Sequence, residues 1–340
     1  MGAGFFLALG KERSVTVIGY HASHEQVPPG RLLAAVRLAE TAGFDAAMCS
    51  DHLAPWTRNQ GESGYAWSWL GAALATTRFP IGLVTAPGQR YHPVVAAQAI
   101  ATVAEMFPGR FWAALGSGEA LNEHVTGDPW PDKDARDRRL RECVRVIRSL
   151  LDGERVSAHA EVRVHEARVW SRPSTPPPLL AAAVSPHTAS SAAAWADGVI
   201  TVGTDAAASS ETFQAYRRAG GPGRTVLQVH ISLEDTLDEA MATAREQWSH
   251  STAPAELMWD VEQPEEFEAL ADPTDENLRR SVIITASTQE LAERIAELAR
   301  GVDEVYLHHV GRAQSPFLHR CGAELLPALR GLLGTETSQR

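Results

Sequence analysis

RLLAAVRLAETAGFDAAMCSDH, residues 31–52, holds one whole helix-to-strand unit. Residues 31–43 place apolar side chains at helical spacing, and Gly43 supplies the left-handed stop. FDAAMCS (44–50) is a short, almost uninterrupted apolar run, the pattern of a strand buried on both faces. A strand that had only to be packed could end in Gly or Asn. This one ends in Asp51 and His52, two side chains that handle protons.

The same unit recurs on both sides. VTVIGYHAS (15–23) reads as the preceding strand. Downstream, a helix at 67–77 leads to a strand at 79–87, and a helix at 94–107 leads to a strand at 109–118. An arginine-rich helix covers 135–153, and strands resume at 178–184, 197–203, 224–233, 281–287 and 303–311. Apolar strands alternating with amphipathic helices predict a parallel sheet, and roughly eight units in one chain predict a single (β/α)8 TIM barrel over 15–335. Residues 1–14 read as an N-terminal extension and 336–340 as a tail. An excursion at 154–178 alternates like a hairpin, and 250–280 reads as an irregular acidic insertion over one end of the barrel.

Composition narrows the function. The 340 residues carry a formal charge of -11, which argues against a nucleic-acid surface, since backbone binding needs a dense cationic face. No apolar run reaches membrane-spanning length, and the first ten residues make a poor leader, so a cytoplasmic protein is expected. Cys49, Cys143 and Cys321 are odd in number and far apart, which fits a reducing compartment and no metal site. Of the 31 basic residues only Lys11 and Lys133 are lysine.

In a barrel, chemistry gathers beyond the carboxyl ends of the strands. The strand exits here carry Tyr20, His21, His24 and Glu25; Asp51, His52 and Trp56; Val84 and Thr85; Glu119, Asn122, Glu123 and His124; Ser185; and His308 with His309. Glu25, His52 and Glu119 suit proton bookkeeping beside a redox step, because imidazole titrates near neutrality and two nearby carboxyls drive one another's pKa upward. Trp56 could wall off water. Ser185 before Pro186 reads as a helix N-cap, whose free N–H groups suit a cofactor phosphate. His308 and His309 must point to opposite faces of a strand, so they are no metal pair. GSGEAL (116–121) stops short of a Rossmann fingerprint, and no G-x-S-x-G elbow is present.

SDHLAPW (50–56), APGQRYHP (86–93), MFPGRFWAALGSGEALNEHVTG (106–127) and WADGVITV (195–202) resemble the luciferase-like barrel flavoproteins, above all their deazaflavin-dependent glucose-6-phosphate dehydrogenase branch. The resemblance implies a barrel, usually a homodimer, with a flavin or deazaflavin at the strand ends. Glu25, His52, Trp56 and Glu119 would surround the reactive ring and a small-molecule substrate. Asp51, Val84, Thr85, Asn122 and the loop Ala182, Ala183, Val184 and Ser185 would touch the cofactor, with a non-proline cis peptide at Val84–Thr85. Two departures from that branch are visible: Ala182-Ala183-Val184 replaces a paired-glycine loop, and the phosphate-gripping lysines have no counterpart, Arg280 alone standing near a matching arginine. The combination looks like an offshoot using FMN for hydride transfer, with the deazaflavin coenzyme F420 as the alternative cofactor. An FMN monooxygenase, served by a separate flavin reductase, or a non-catalytic ligand-binding barrel are the other readings.

Overall fold

The computed structural model describes residues 16–334, so the expected extension 1–14 and tail 336–340 lie outside the described residues. Among the described residues there are eleven strands: β1 (Val17–Ala22), β2 (Ala46–Ser50), β3 (Ile81–Thr85), β4 (Phe111–Leu115), β5 (Val156–Ala158), β6 (Val164–Ala167), β7 (Leu179–Ala182), β8 (Gly198–Val202), β9 (Arg224–Leu233), β10 (Ile283–Thr285) and β11 (Glu304–His309). Eight of them close a parallel ring in the order β1, β2, β3, β4, β7, β8, β9, β11, with β11 returning to β1. The protein is a (β/α)8 TIM barrel.

The other three strands are additions. β5 and β6 form an antiparallel hairpin within the 154–178 excursion. β10 pairs only with the last residues of the ten-residue β9, so 281–287 adds a ninth parallel strand outside the ring. Residues 250–280 are more regular than their composition suggests. They contain helices Pro264–Leu270 and Asp275–Ser281, each begun by a capping residue, Gln263 and Thr274. Helices of two turns are too short to show a period in sequence.

Alternation along each strand sorts the two faces. Ile18, Tyr20, Leu83, Leu115, Val229 and Leu307 belong to the outer core beneath the helices. Ala46, Met48, Trp112, Ala114, Leu180, Ile200, Val226 and Tyr306 fill the barrel interior. Gly43 ends its helix at φ 98°, the left-handed conformation a side chain resists. Cys49, Cys143 and Cys321 are buried and unbridged. Among the described residues no helix is long and apolar enough to cross a membrane, and no cluster of His, Cys, Asp or Glu is arranged to hold a metal ion.

Two glycines make room for the interior aromatics, whose rings meet at 5.9 Å. A Cβ on Gly82 would fall 2.1 Å from the Trp112 indole, and one on Gly19 would fall 2.3 Å from the Tyr306 ring. Both rings are enclosed and cannot swing aside. Gly82→Ala is therefore expected to destabilise the protein by about 1–3 kcal/mol through overpacking. Denaturant unfolding checks this, and an unchanged midpoint would show that the interior is looser than described.

Candidate active site

At the carboxyl end of the ring three strand exits converge. Glu25 follows β1, His52 follows β2 and Glu119 follows β4. His52 Nδ1 lies 2.8 Å from Glu25 Oε1, and its Nε2 lies 3.9 Å from Glu119 Oε2. The first contact is hydrogen-bonding distance. The second is not, and an oxygen inserted there could reach both groups. The Glu25 side chain is 3% exposed, whereas His52 and Glu119 are 17% and 19% exposed, so the imidazole is backed by a buried acid and faces an accessible one.

Their protonation follows from this placement. Burial would raise the Glu25 carboxyl, but the His52 charge, with hydrogen bonds from His52 and Ser23, holds it well below the usual carboxylate range. Burial would also lower His52, yet Glu25 overrides it and, with help from Glu119, lifts the imidazole to about 9. Glu119 is pushed upward by burial and by Glu25, with His52 only partly opposing. The resting site therefore holds an imidazolium between a firm carboxylate and a carboxyl that accepts a proton readily.

Asn122 sets this spacing. Its Nδ2 donates to Glu119 Oε2 at 3.1 Å, while its Oδ1 accepts from the backbone N–H of Leu53 and Ala54 at 2.7 and 3.3 Å. Beneath lies a buried charge network. Asp51 accepts from Thr85 Oγ1 at 2.9 Å and Tyr91 Oη at 3.1 Å, and Arg90 donates to the Asp51 carbonyl at 2.6 Å. Arg90 also spans Asp51 and Glu123, at 3.5 and 3.6 Å. Asp51 and Thr85 thus spend their polar atoms on one another. The peptide between Val84 and Thr85 is trans, correcting the cis bond implied by resemblance; among the described residues none is cis, the form a non-proline residue adopts only at a cost.

Trp56 closes the site on the insertion side. Its indole meets His52 edge-on at 5.2 Å and stacks on His250 at 5.1 Å, with Phe267 packed against it. The remaining residues expected at the opening divide by face. Val84 and Ala182 point into the barrel mouth and are only half-buried, and Val184 is 53% exposed; Val202, which sequence reasoning did not single out, stands at the same mouth and is 38% exposed. Interior positions of a filled barrel are buried, so Val84, Ala182 and Val202 form an uncovered apolar ledge, which fits a flat ring. Ala183 instead packs in the outer core, and its N–H donates to the Ile200 carbonyl at 2.9 Å. Ser185 caps the short helix Pro186–Ala192 by accepting from Thr188 N–H at 3.3 Å, so that donor is not free for a phosphate.

Of the other exit residues, Tyr20 faces outward to Gln314 and His309 stacks outside on Phe317. His21 and His308 point inward and stack at 4.2 Å. Glu123, read from the sequence as a strand-exit residue, belongs to the network; sequence reasoning missed Arg90, Gln228, His230, Trp248 and His250, which complete the network and the mouth.

Residues 14–304 match the family described as luciferase-like monooxygenase. The chain belongs to the luciferase-like family. Among the relatives of this luciferase-like chain, the F420-dependent glucose-6-phosphate dehydrogenase of Beutenbergia cavernae is 38% identical, covering 92% of this chain and 97% of that protein. The enzyme of the same name from Nakamurella multipartita is 35% identical, covering 93% and 97%. An F420-dependent secondary alcohol dehydrogenase, solved with an F420–acetone adduct, superimposes with a TM-score of 0.85 at 26% identity, covering 93% of this chain and 99% of its own. The luciferase-like protein is accordingly an enzyme, an oxidoreductase that uses a flavin-type cofactor, flavin or deazaflavin, on a small organic substrate.

Proposed function

We propose that this luciferase-like enzyme is a deazaflavin-dependent dehydrogenase that moves a hydride between the coenzyme and the carbinol or carbonyl carbon of a small molecule. The observation that carries the reading is the line Glu25–His52–Glu119, with its 3.9 Å gap beside the apolar ledge. The relatives support the coenzyme: eight relatives at 32–38% identity are F420-dependent glucose-6-phosphate dehydrogenases by name. This reading displaces the FMN expectation, which rested on crowding by Ala182-Ala183-Val184 together with the missing phosphate-gripping lysines. The Ala183 side chain packs away from the opening and Val184 stands out in solvent, leaving Ala182 alone to crowd the mouth.

A bound deazaflavin supplies a two-electron hydride acceptor or donor. The chain supplies the proton chemistry. In alcohol oxidation His52 Nε2 takes the hydroxyl proton as the C–H pair leaves; in carbonyl reduction the imidazolium returns it. Glu25 stabilises the charge that His52 carries, and Glu119 offers a second proton site toward the ring. Val84, Ala182 and Val202 seat the ring, and Trp56 keeps water from His52.

Glucose 6-phosphate fits poorly. The one described lysine, Lys133, pairs with Asp137 on an outer helix, and Arg280 is exposed and paired with Glu276. Absorbance titration with the deazaflavin coenzyme and with FMN in parallel tests the coenzyme. Micromolar deazaflavin binding, with bleaching of its visible band on adding a secondary alcohol, is the expected result. Tight FMN binding with none for the deazaflavin would overturn it, and oxygen consumption by the FMN form would make the protein a monooxygenase.

A further inference from the structure

The barrel mouth has two unlike halves. Interior side chains at the ends of β3, β7 and β8 are apolar, Val84, Ala182 and Val202. Those at the ends of β1, β9 and β11 are His21, Gln228, His230 and His308, neighbours in the ring because β11 lies between β1 and β9. Trp248 and His250 complete this second half: Trp248 lies 4.5 Å from His230, 4.8 Å from His308 and 4.6 Å from His250. His250 in turn stacks on Trp56, the wall of His52.

The hydrogen bonds fix the charge of this cluster. The Gln26 amide nitrogen donates to the Val310 carbonyl, so Gln26 Oε1 is the acceptor that faces His308 Nε2 at 2.9 Å. His308 therefore carries its proton on Nε2, and its Nδ1 accepts from Gln228 Nε2 at 3.2 Å. The same Gln228 amide reaches His230 Nε2, also at 3.2 Å, making that nitrogen an acceptor. Both imidazoles are neutral. Burial agrees, lowering His230 to about 4, His21 and His250 each to about 3, and His308 well below its ordinary value. Saturated inside, the cluster still has buried atoms with no protein partner: His21 Nδ1, His250 Nδ1 and Trp248 Nε1. A buried polar atom left unpaired is costly, so such a set is completed by a molecule bringing its own donors and acceptors.

We propose that this neutral imidazole half is the specificity subsite of the reaction above, selecting an uncharged substrate with a hydroxyl or carbonyl besides the reacting one and rejecting phosphorylated or carboxylated analogues. It rests on the preceding reading of the site. An anion placed against neutral imidazoles loses its hydration without gaining a counter-charge, whereas a hydroxyl donates to or accepts from the orphaned nitrogens.

The test measures calorimetric binding of 1,2-propanediol, glucose and glucose 6-phosphate to the full chain, with and without the deazaflavin. The neutral probes are expected to bind, and glucose 6-phosphate at least about tenfold more weakly than glucose. His250→Phe, which removes one of the orphaned nitrogens, is expected to weaken neutral-probe binding about 3–10-fold, the worth of one hydrogen bond, with deazaflavin affinity unchanged. His230→Arg is expected to shift preference toward the phosphate ester. If His250→Phe fails to fold, nitrogen-detected NMR of the wild-type histidines serves instead: signals of neutral rings for His230 and His308 at pH 6 are expected. Imidazolium signals there, preference for glucose 6-phosphate, or no neutral probe binding overturns the subsite. The deazaflavin titration is independent, so coenzyme binding can succeed while the subsite fails.

Discussion

Replacing His52 with Gln is expected to lower turnover by about 10²–10⁴-fold, the usual worth of a positioned general acid–base. Gln keeps a donor beside Glu25 but cannot cycle a proton. His52→Ala is expected to lose turnover similarly and to lose stability as well, because it leaves the Glu25 carboxylate buried without its cation; breaking such a pair costs about 3–5 kcal/mol. The two variants separate chemistry from folding. Deazaflavin binding should survive in His52→Gln, since the ledge of Val84, Ala182 and Val202 does not depend on the imidazole. Single-turnover bleaching of the coenzyme is the measurement, and undiminished hydride transfer by His52→Gln would remove His52 from the chemistry.

The sequence discloses this much because each member of the trio stands at a strand exit, and strand exits of a barrel meet whatever their distance along the chain. The ring itself is legible for a similar reason: strands such as FDAAMCS are apolar on both faces, which only a sheet covered on both sides requires. Arg90 carries no such mark. Its ion pair with Glu123 joins a loop to a short helix 33 residues away, and nothing local around Arg90 announces it. The imidazole half is an intermediate case. On β9 the interior positions read Arg224, Val226, Gln228 and His230, so its polar end is written at alternate residues, but only the closed ring shows which alternation faces inward. The opposite fate of adjacent His308 and His309, one in the mouth and one on Phe317, is the same parity made visible.

The pH dependence should differ between the two directions of reaction, because His52 must be neutral to take a proton and charged to give one. With the imidazole raised to about 9 by Glu25, alcohol oxidation is expected to climb about tenfold per pH unit up to about 9 and then level. Carbonyl reduction is expected to be flat below that point and to fall above it. At neutral pH the resting site is thus set for reduction. Stability follows the same groups with opposite limits. His52 has a folded value above its ordinary 6.5, so its contribution is complete below 6.5 and is lost as pH rises through about 9. Glu25 has a folded value below its ordinary 4.5, so its contribution is complete above 4.5 and is lost as acid protonates the pair. Both act in full only between about 4.5 and 6.5. Glu25→Gln removes the charge that lifts His52 and leaves burial to lower it, so the oxidation limb should move to lower pH by more than one unit, about tenfold in rate at a fixed pH on that limb. Rate–pH profiles of kcat/KM in both directions, for wild type and Glu25→Gln, read this out. If the limb stays in place in Glu25→Gln, the titrating group is not His52, and the proton must leave by another residue, of which Glu119 is the nearest.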